Sequence, residues 1–230
     1  IVLILMVITF IACIGFAHEQ YKKTAYYQVT RNSYSRVKYD KGKHGEYQAY
    51  KRLRHLENQG GRFLFNTYIP KWDGGMTEID MLLICPKGLF VFESKNYSGR
   101  IFGHEKQTYW TQTFRSGKRR KSHKQPFYNP IMQNAFHIKC LRRVVGNRVP
   151  IWSCIVFSDK CTLKKLNIGN GVTVVRSRHL ANAVNRIYSE ANDILSKAEV
   201  DEMFKYLYPF TQYGADIKEQ HIKNIQRRYK

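Results

Sequence analysis

The run TEIDMLLICPKGLFVFESKN, residues 77–96, is mostly apolar but carries Glu78, Asp80, Glu93 and Lys95. It reads as two strands joined by a tight turn at Pro86-Lys87-Gly88. With Pro86 and Lys87 as the loop, Cys85 faces Gly88, Leu83 faces Phe90, Asp80 faces Glu93 and Glu78 faces Lys95. Side chains alternate along a strand, so Asp80, Glu93 and Lys95 are expected on one face. Directly opposed side chains lie about 4.5–5.5 Å apart, and like charges there are destabilising. Two opposed carboxylates need a proton, a cation or a metal between them. The lysine helps without neutralising both. This pairing rests on the register, because a slip of one residue exchanges the faces.

Two helices carry the same anomaly. In GKHGEYQAYKRLRHLENQGG, Glu46 shares a helix face with Ala49, Tyr50 and Leu53. In NPIMQNAFHIKCLRRVV, Gln133 heads a stripe of Phe136, His137, Cys140, Leu141 and Val144. Each could instead sit at a helix end and reach solvent. Taken with the hairpin, Glu46, Asp80, Glu93, Lys95 and Gln133 are expected to converge at one edge of the core. Converging buried carboxylates require compensation, and hard oxygen donors of this kind suit Mg²⁺ or Mn²⁺.

The elements that hold these residues follow from periodicity and punctuation. A helix is expected from about Gly45 to Asn58, closed by Gly60-Gly61. Strands are expected at RFLFNTYI, in the two arms of the hairpin, at GRIFG and at QTYWTQTF. Next come a basic loop holding Lys118, Arg119, Arg120 and Lys121, and a helix with Pro130 in its first turn. PIWSCIVFS is a continuous apolar run and reads as a buried central strand. GVTVVR is a shorter strand, and two helices follow, the second opened by a Ser196–Glu199 capping box. The order gives an α/β fold with a mixed central sheet flanked by helices.

Composition limits the partners. Of 230 residues, 39 are Lys or Arg and 17 Asp or Glu, for a net charge of +22. The excess is spread along the chain, and a field of that sign favours polyanions, either nucleic acid or an anionic membrane face. Five cysteines without a C-x-x-C pair read as free, mostly buried thiols, and Cys154, Cys161 and a histidine have poor spacing for a zinc site. The basic loop is placed to grip phosphates without reading sequence, or is a solvated hairpin tip. Tyr109, Trp110, Phe114, Phe127 and Tyr128 are either core residues or base-stacking platforms.

Ile1 to Ala17 holds no charged residue and is followed by Lys22, Lys23, Arg31 and Arg36. This pattern predicts an N-terminal transmembrane helix with the basic domain on the cytoplasmic side. The small residues of GFA before His18 support a second reading, a cleaved signal segment followed by secretion. The expected organisation is an anchor over 1–17, a juxtamembrane linker over 18–41, a main domain over 42–160, and a C-terminal extension over 161–230 ending in a basic helical tail.

GKHGE, EIDMLLICPKGLFVFESKNYSGRI and NPIMQNAFHIKCL together resemble the nuclease-related domain, a branch of the PD-(D/E)XK nuclease superfamily. The resemblance covers roughly residues 42 to 157. It implies a restriction-endonuclease-like α-β-β-β-α-β core. Carried over by position, Asp80 and Glu93 resemble the metal ligands and Lys95 the catalytic lysine. Glu46 matches the helix glutamate and Gln133 the helix glutamine. Glu78-Ile79 stand where the superfamily's proline is expected. The implied activity is Mg²⁺- or Mn²⁺-dependent hydrolysis of phosphodiester bonds in nucleic acid, DNA foremost. The alternative is a non-catalytic module, on the same fold, that binds nucleic acid or serves as a membrane scaffold.

Overall fold

A computed structural model describes residues 2–114 and 123–213. Helix α1 spans Val2–Lys22. Two short helices follow, α2 (Ala25–Thr30) and α3 (Tyr34–Tyr39), each opened by a hydroxyl that accepts a backbone N–H, Thr24 from Tyr27 and Ser33 from Arg36. Helix α4 (Lys41–Leu53) begins earlier than the glycines suggest. Its cap is Asp40, whose carboxylate accepts the Lys43 N–H. A 3₁₀ turn over Arg54–Gln59 closes it, ending on Gly60 at φ 84.

The first strands are β1 (Arg62–Pro70), β2 (Met76–Cys85) and β3 (Gly88–Lys95). Next come β4 (Gly99–His104), β5 (Tyr109–Phe114) and β6 (His123–Tyr128). Helix α5 (Pro130–Val145) carries proline in its first turn and is capped by Asn129. Then follow β7 (Ile151–Phe157), β8 (Cys161–Asn167), β9 (Val172–Arg176), α6 (Leu180–Glu190) and α7 (Lys197–Leu207). The Ser196–Glu199 capping box is formed.

Among the described residues nine strands make two mixed sheets. The larger has the order β1-β2-β3-β7-β9, antiparallel up to β3 and parallel from β3 to β9. As its apolar run implies, β7 lies inside this sheet. One face carries a core cluster with α4 and α6, built from Tyr50, Leu53, Phe63, Phe65, Met81, Leu83, Phe92 and Leu180. The other face packs on α5 and α7 through Leu64, Leu82, Ile84, Val91, Leu141 and Val200. The smaller sheet, β6-β5-β4-β8, joins the larger through Ile101, Trp110, Phe127, Ile155 and Phe157. Trp110 and Phe127 are thus core residues, while Tyr109 is exposed. Cys85, Cys140, Cys154 and Cys161 are free and buried, as their apolar settings imply.

One irregularity positions the site. On β1 and β2, Phe63, Phe65, Met81 and Leu83 face α4, and Leu64, Leu82 and Ile84 face α5. Strict alternation would send Ile69 and Ile79 to the α4 side with Phe65 and Met81. Both lie on the α5 side instead. The switch falls at Asn66, which has φ 50, and at Asp80 opposite it. The β1–β2 ladder is broken there between Phe65↔Met81 and Thr67↔Ile79.

The N-terminal expectation is corrected. Among the described residues no helix is long and apolar enough to cross a membrane. The charge-free part of α1 ends at Ala17, before His18 and a Glu19–Lys22 ion pair of 2.9 Å. The last turn of α1 instead buries Tyr21 in the α4-side core. A single-pass membrane placement, and the sidedness drawn from it, are therefore not supported. Lys118, Arg119, Arg120 and Lys121 and the basic tail lie outside the described residues.

Candidate active site

The hairpin has the expected register near its turn, with Cys85↔Gly88 and Leu83↔Phe90. Pairing stops at Met81↔Phe92. Beyond it, β3 continues beside β7 as far as Lys95. Asp80 and Glu93 are therefore not a ladder pair. Asp80 Oδ2 instead accepts the Ser94 backbone N–H at 2.8 Å, so a side chain takes over where β2 leaves β3. Glu78 is paired in register with Tyr68 on β1 rather than with Lys95.

Glu93, Lys95 and Gln133 do meet. Lys95 Nζ donates to Glu93 Oε1 at 2.6 Å and to Gln133 Oε1 at 3.0 Å. Glu93 is 2% exposed. Its second oxygen, Oε2, lies 3.2 Å from His137 Nε2. That is ion-contact distance, but the two atoms are not aligned for a hydrogen bond, and both lack a hydrogen-bond partner among the described residues. His137 Nδ1 is held at 2.8 Å by the Thr77 hydroxyl. A line of five side chains thus runs Thr77, His137, Glu93, Lys95, Gln133. His137 and Thr77 were not singled out as site residues in the sequence. The available signal was His137 one turn after Gln133, a second polar residue on an apolar helical stripe.

Glu46 approaches from α4, on the other face of the sheet. It is buried, with the Tyr26 hydroxyl 3.4 Å from its Oε2. Gly45 lets this helix come close, since a Cβ there would lie 3.0 Å from Ser94 Oγ. Asp80, at the switch in β2, feels the charges of both Glu93 and Glu46. Of the five predicted residues, Glu93, Lys95 and Gln133 are thus joined on one face of β3, Asp80 bonds the β3 backbone at Ser94, and Glu46 lies on the α4 side.

Electrostatics separate the three carboxylates. Burial, then the charges of Glu93 and Glu46, push Asp80 well above the usual carboxylate range. Glu46 is raised to about 7, first by burial and then by Glu78. Burial alone would also raise Glu93, but the Lys95 ammonium and His137 outweigh it and hold Glu93 low. Burial opposes the charge on Lys95, yet Glu93 and Asp80 prevail, so Lys95 stays a cation.

The sign for Glu46 gives an expected result. Its folded-state value lies above the ordinary 4.5, so the folded state binds more protons between pH 4.5 and about 7. Its contribution to stability is present below pH 4.5 and lost as pH rises through about 7. In metal-free protein, the melting temperature of wild type relative to Glu46→Gln should therefore fall across this window. A constant difference from pH 4.5 to 7.5 would refute the buried, repelled carboxylate.

Among the described residues no three His, Cys, Asp or Glu side chains converge as a ready metal cluster. The smaller donor set still fits a hydrated cation. Glu93 Oε2 is buried without a hydrogen-bond partner, and Asp80 commits Oδ2 to Ser94 and takes no described hydrogen bond on Oδ1. Magnesium keeps several waters and is bound through one or two carboxylates.

A family model described as the nuclease-related domain matches residues 41–158. An uncharacterised protein of Bacillus anthracis is 31% identical over 192 residues, covering 82% of this chain and 85% of that protein. No solved structure matches.

Proposed function

The chain belongs to the nuclease-related domain family, and on that premise we propose that it is a metal-dependent nuclease, using Mg²⁺ or Mn²⁺ to hydrolyse phosphodiester bonds of nucleic acid, DNA foremost. The observation that carries this reading is the pairing of a buried cation with an incompletely satisfied anion. Lys95 is locked between Glu93 and Gln133, while Glu93 Oε2 has only an ion contact, 3.2 Å from His137 Nε2.

Asp80 and Glu93 would hold the cation together with the Ser94 backbone carbonyl, and Glu46 would hold its water or a second ion. A bound divalent cation supplies Lewis-acid polarisation of the phosphate and a more acidic water. Lys95, kept charged by Glu93 and Asp80, acts as a cation rather than as a general base. It orients the attacking water and steadies the negative charge that develops on the phosphate. Gln133 and Glu93 fix its ammonium in place. The net charge of +22 favours the approach of nucleic acid. Lys118, Arg119, Arg120 and Lys121 are proposed as further phosphate contacts.

The alternative, a non-catalytic nucleic-acid-binding module on the same fold, is favoured by one fact. Glu93 Oε1 is already neutralised internally by Lys95. Cleavage decides between the two. Plasmid or single-stranded DNA incubated with the protein and Mg²⁺ or Mn²⁺ should be nicked, and chelation should stop the reaction. No cleavage of DNA or RNA, with a melting temperature indifferent to millimolar Mn²⁺, would sink the nuclease reading.

A further inference from the structure

A cavity of about 190 Å³ opens beside Lys95, at the carboxyl ends of the parallel strands β3 and β7. In open α/β sheets, ligands settle in the crevice outside the carboxyl ends of the strands. Ser94 and Lys95 line this cavity, whereas Asp80 and Glu93 do not. It is therefore a separate space that shares a wall with the candidate active site. His44, Gly45 and Gln48 of α4 form one side, and the end of β7 backs the cavity at Val156 and Phe157, whose side chains are buried in the core.

Its rim is short of negative charge. Among the described residues that line it, Asp159 is the one carboxylate. Two guanidiniums share it, Arg52 at 3.3 Å and Arg178 at 3.2 Å. Arg52 also donates to Ser177 Oγ at 3.0 Å. One carboxylate against two arginines leaves a net positive charge, and Lys160 adds an exposed cation.

Resting on the nuclease reading, we propose that this cavity is a subsite for one unpaired nucleotide of the strand being cut. The base would lie against the half-buried His44 ring and its phosphate on the Arg52–Lys160 rim. The space is smaller than the roughly 300–1,000 Å³ of pockets that take whole drug-sized ligands, so it admits one unit. A paired base enters such a pocket only after leaving the stack, which costs least when the strand is already single. The preferred substrate is thus single-stranded or frayed nucleic acid rather than intact duplex.

Binding measured without metal tests this apart from catalysis. A fluorescent single-stranded oligonucleotide and a blunt duplex of the same sequence are titrated against the full chain by anisotropy. The single strand should bind about tenfold or more tighter, the scale of one base stacked on a protein wall. Gln48→Trp, which fills the cavity, should erase that preference and leave duplex affinity unchanged. Lys160→Ala, at an exposed position, should lower the slope of log K against log salt on the single strand by about 0.7, and it serves if the filled variant does not fold. Equal affinity for the two substrates, or a preference that survives Gln48→Trp, would overturn the subsite. An unchanged salt slope in Lys160→Ala would also overturn it. Cleavage without strand preference would sink the subsite and spare the nuclease reading. Single-strand preference with no cleavage in Mg²⁺ or Mn²⁺ would do the reverse.

Discussion

Lys95→Ala should lower cleavage by about 10²-fold or more, the scale of one positioned charge stabiliser. It should also cost the metal-free protein about 3–5 kcal/mol, because breaking a buried ion pair leaves one charge uncompensated. The second effect follows from burial: Glu93 is 2% exposed and its Oε1 is held by Lys95 at 2.6 Å. Asp80→Asn should behave differently. It should abolish cleavage and any stabilisation by Mn²⁺. The metal-free fold should keep or gain stability, because Asp80 is the carboxylate whose charge is most disfavoured by burial and by Glu93 and Glu46. Single-turnover cleavage and thermal melts of both variants, each with and without Mn²⁺, separate these outcomes. Equal stability losses in the two variants, or full cleavage by Lys95→Ala, would contradict the assignment.

Trp110→Ala should cost about 3–5 kcal/mol, as expected for an aromatic side chain removed from a close-packed core. Trp110 is fully buried, lies parallel to Phe157 at 6.2 Å between ring centroids, and donates its indole N–H to the His104 carbonyl at 3.0 Å. Phe157 is the register partner of Lys95, so this packing fixes the strand end that carries the lysine. Gly103 sits beneath the indole, where any Cβ would overlap the ring. Gly103→Ala alone should therefore destabilise by about 1–3 kcal/mol through overpacking. The double variant should cost less than the sum, because removing the ring makes room for the methyl group. Strict additivity in urea denaturation would show that the two residues do not share this contact.

Much of this arrangement was legible in the sequence. The α4 and α5 stripes and the hairpin turn carry strong periodic signals, and Glu46, Gln133, Glu93 and Lys95 interrupt them visibly. The two strands not anticipated, β6 and β8, are both edges of the smaller sheet. HKQPFY contains Pro126 and four exposed residues in succession, and CTLKKLN carries Lys164 and Lys165. Edge strands tolerate proline and lysine, and so they look like loops. The partners of Asp80 and Glu78 were assigned wrongly for another reason. RFLFNTYIP reads as one unbroken strand, and nothing in its apolar pattern announces that the faces exchange at Asn66. Register arguments extrapolate alternation, and alternation fails at that point.

That exchange bears on how tolerance to substitution at this site should be read. Asn66 holds φ 50, a conformation that asparagine and glycine enter readily and β-branched residues resist. A saturation library at residue 66 should therefore return a narrow set of survivors, much as a library at Asp80 or Glu93 would. The causes differ. At residues 80 and 93 the constraint falls on the functional group, whereas at residue 66 it falls on a backbone angle that steers a carboxylate on the neighbouring strand and on an amide that reaches Glu46. A map built from loss of activity alone would not separate these two demands on β1. Scoring the same library for glycine tolerance separates them, because the backbone requirement admits glycine and the amide's bond to Glu46 does not.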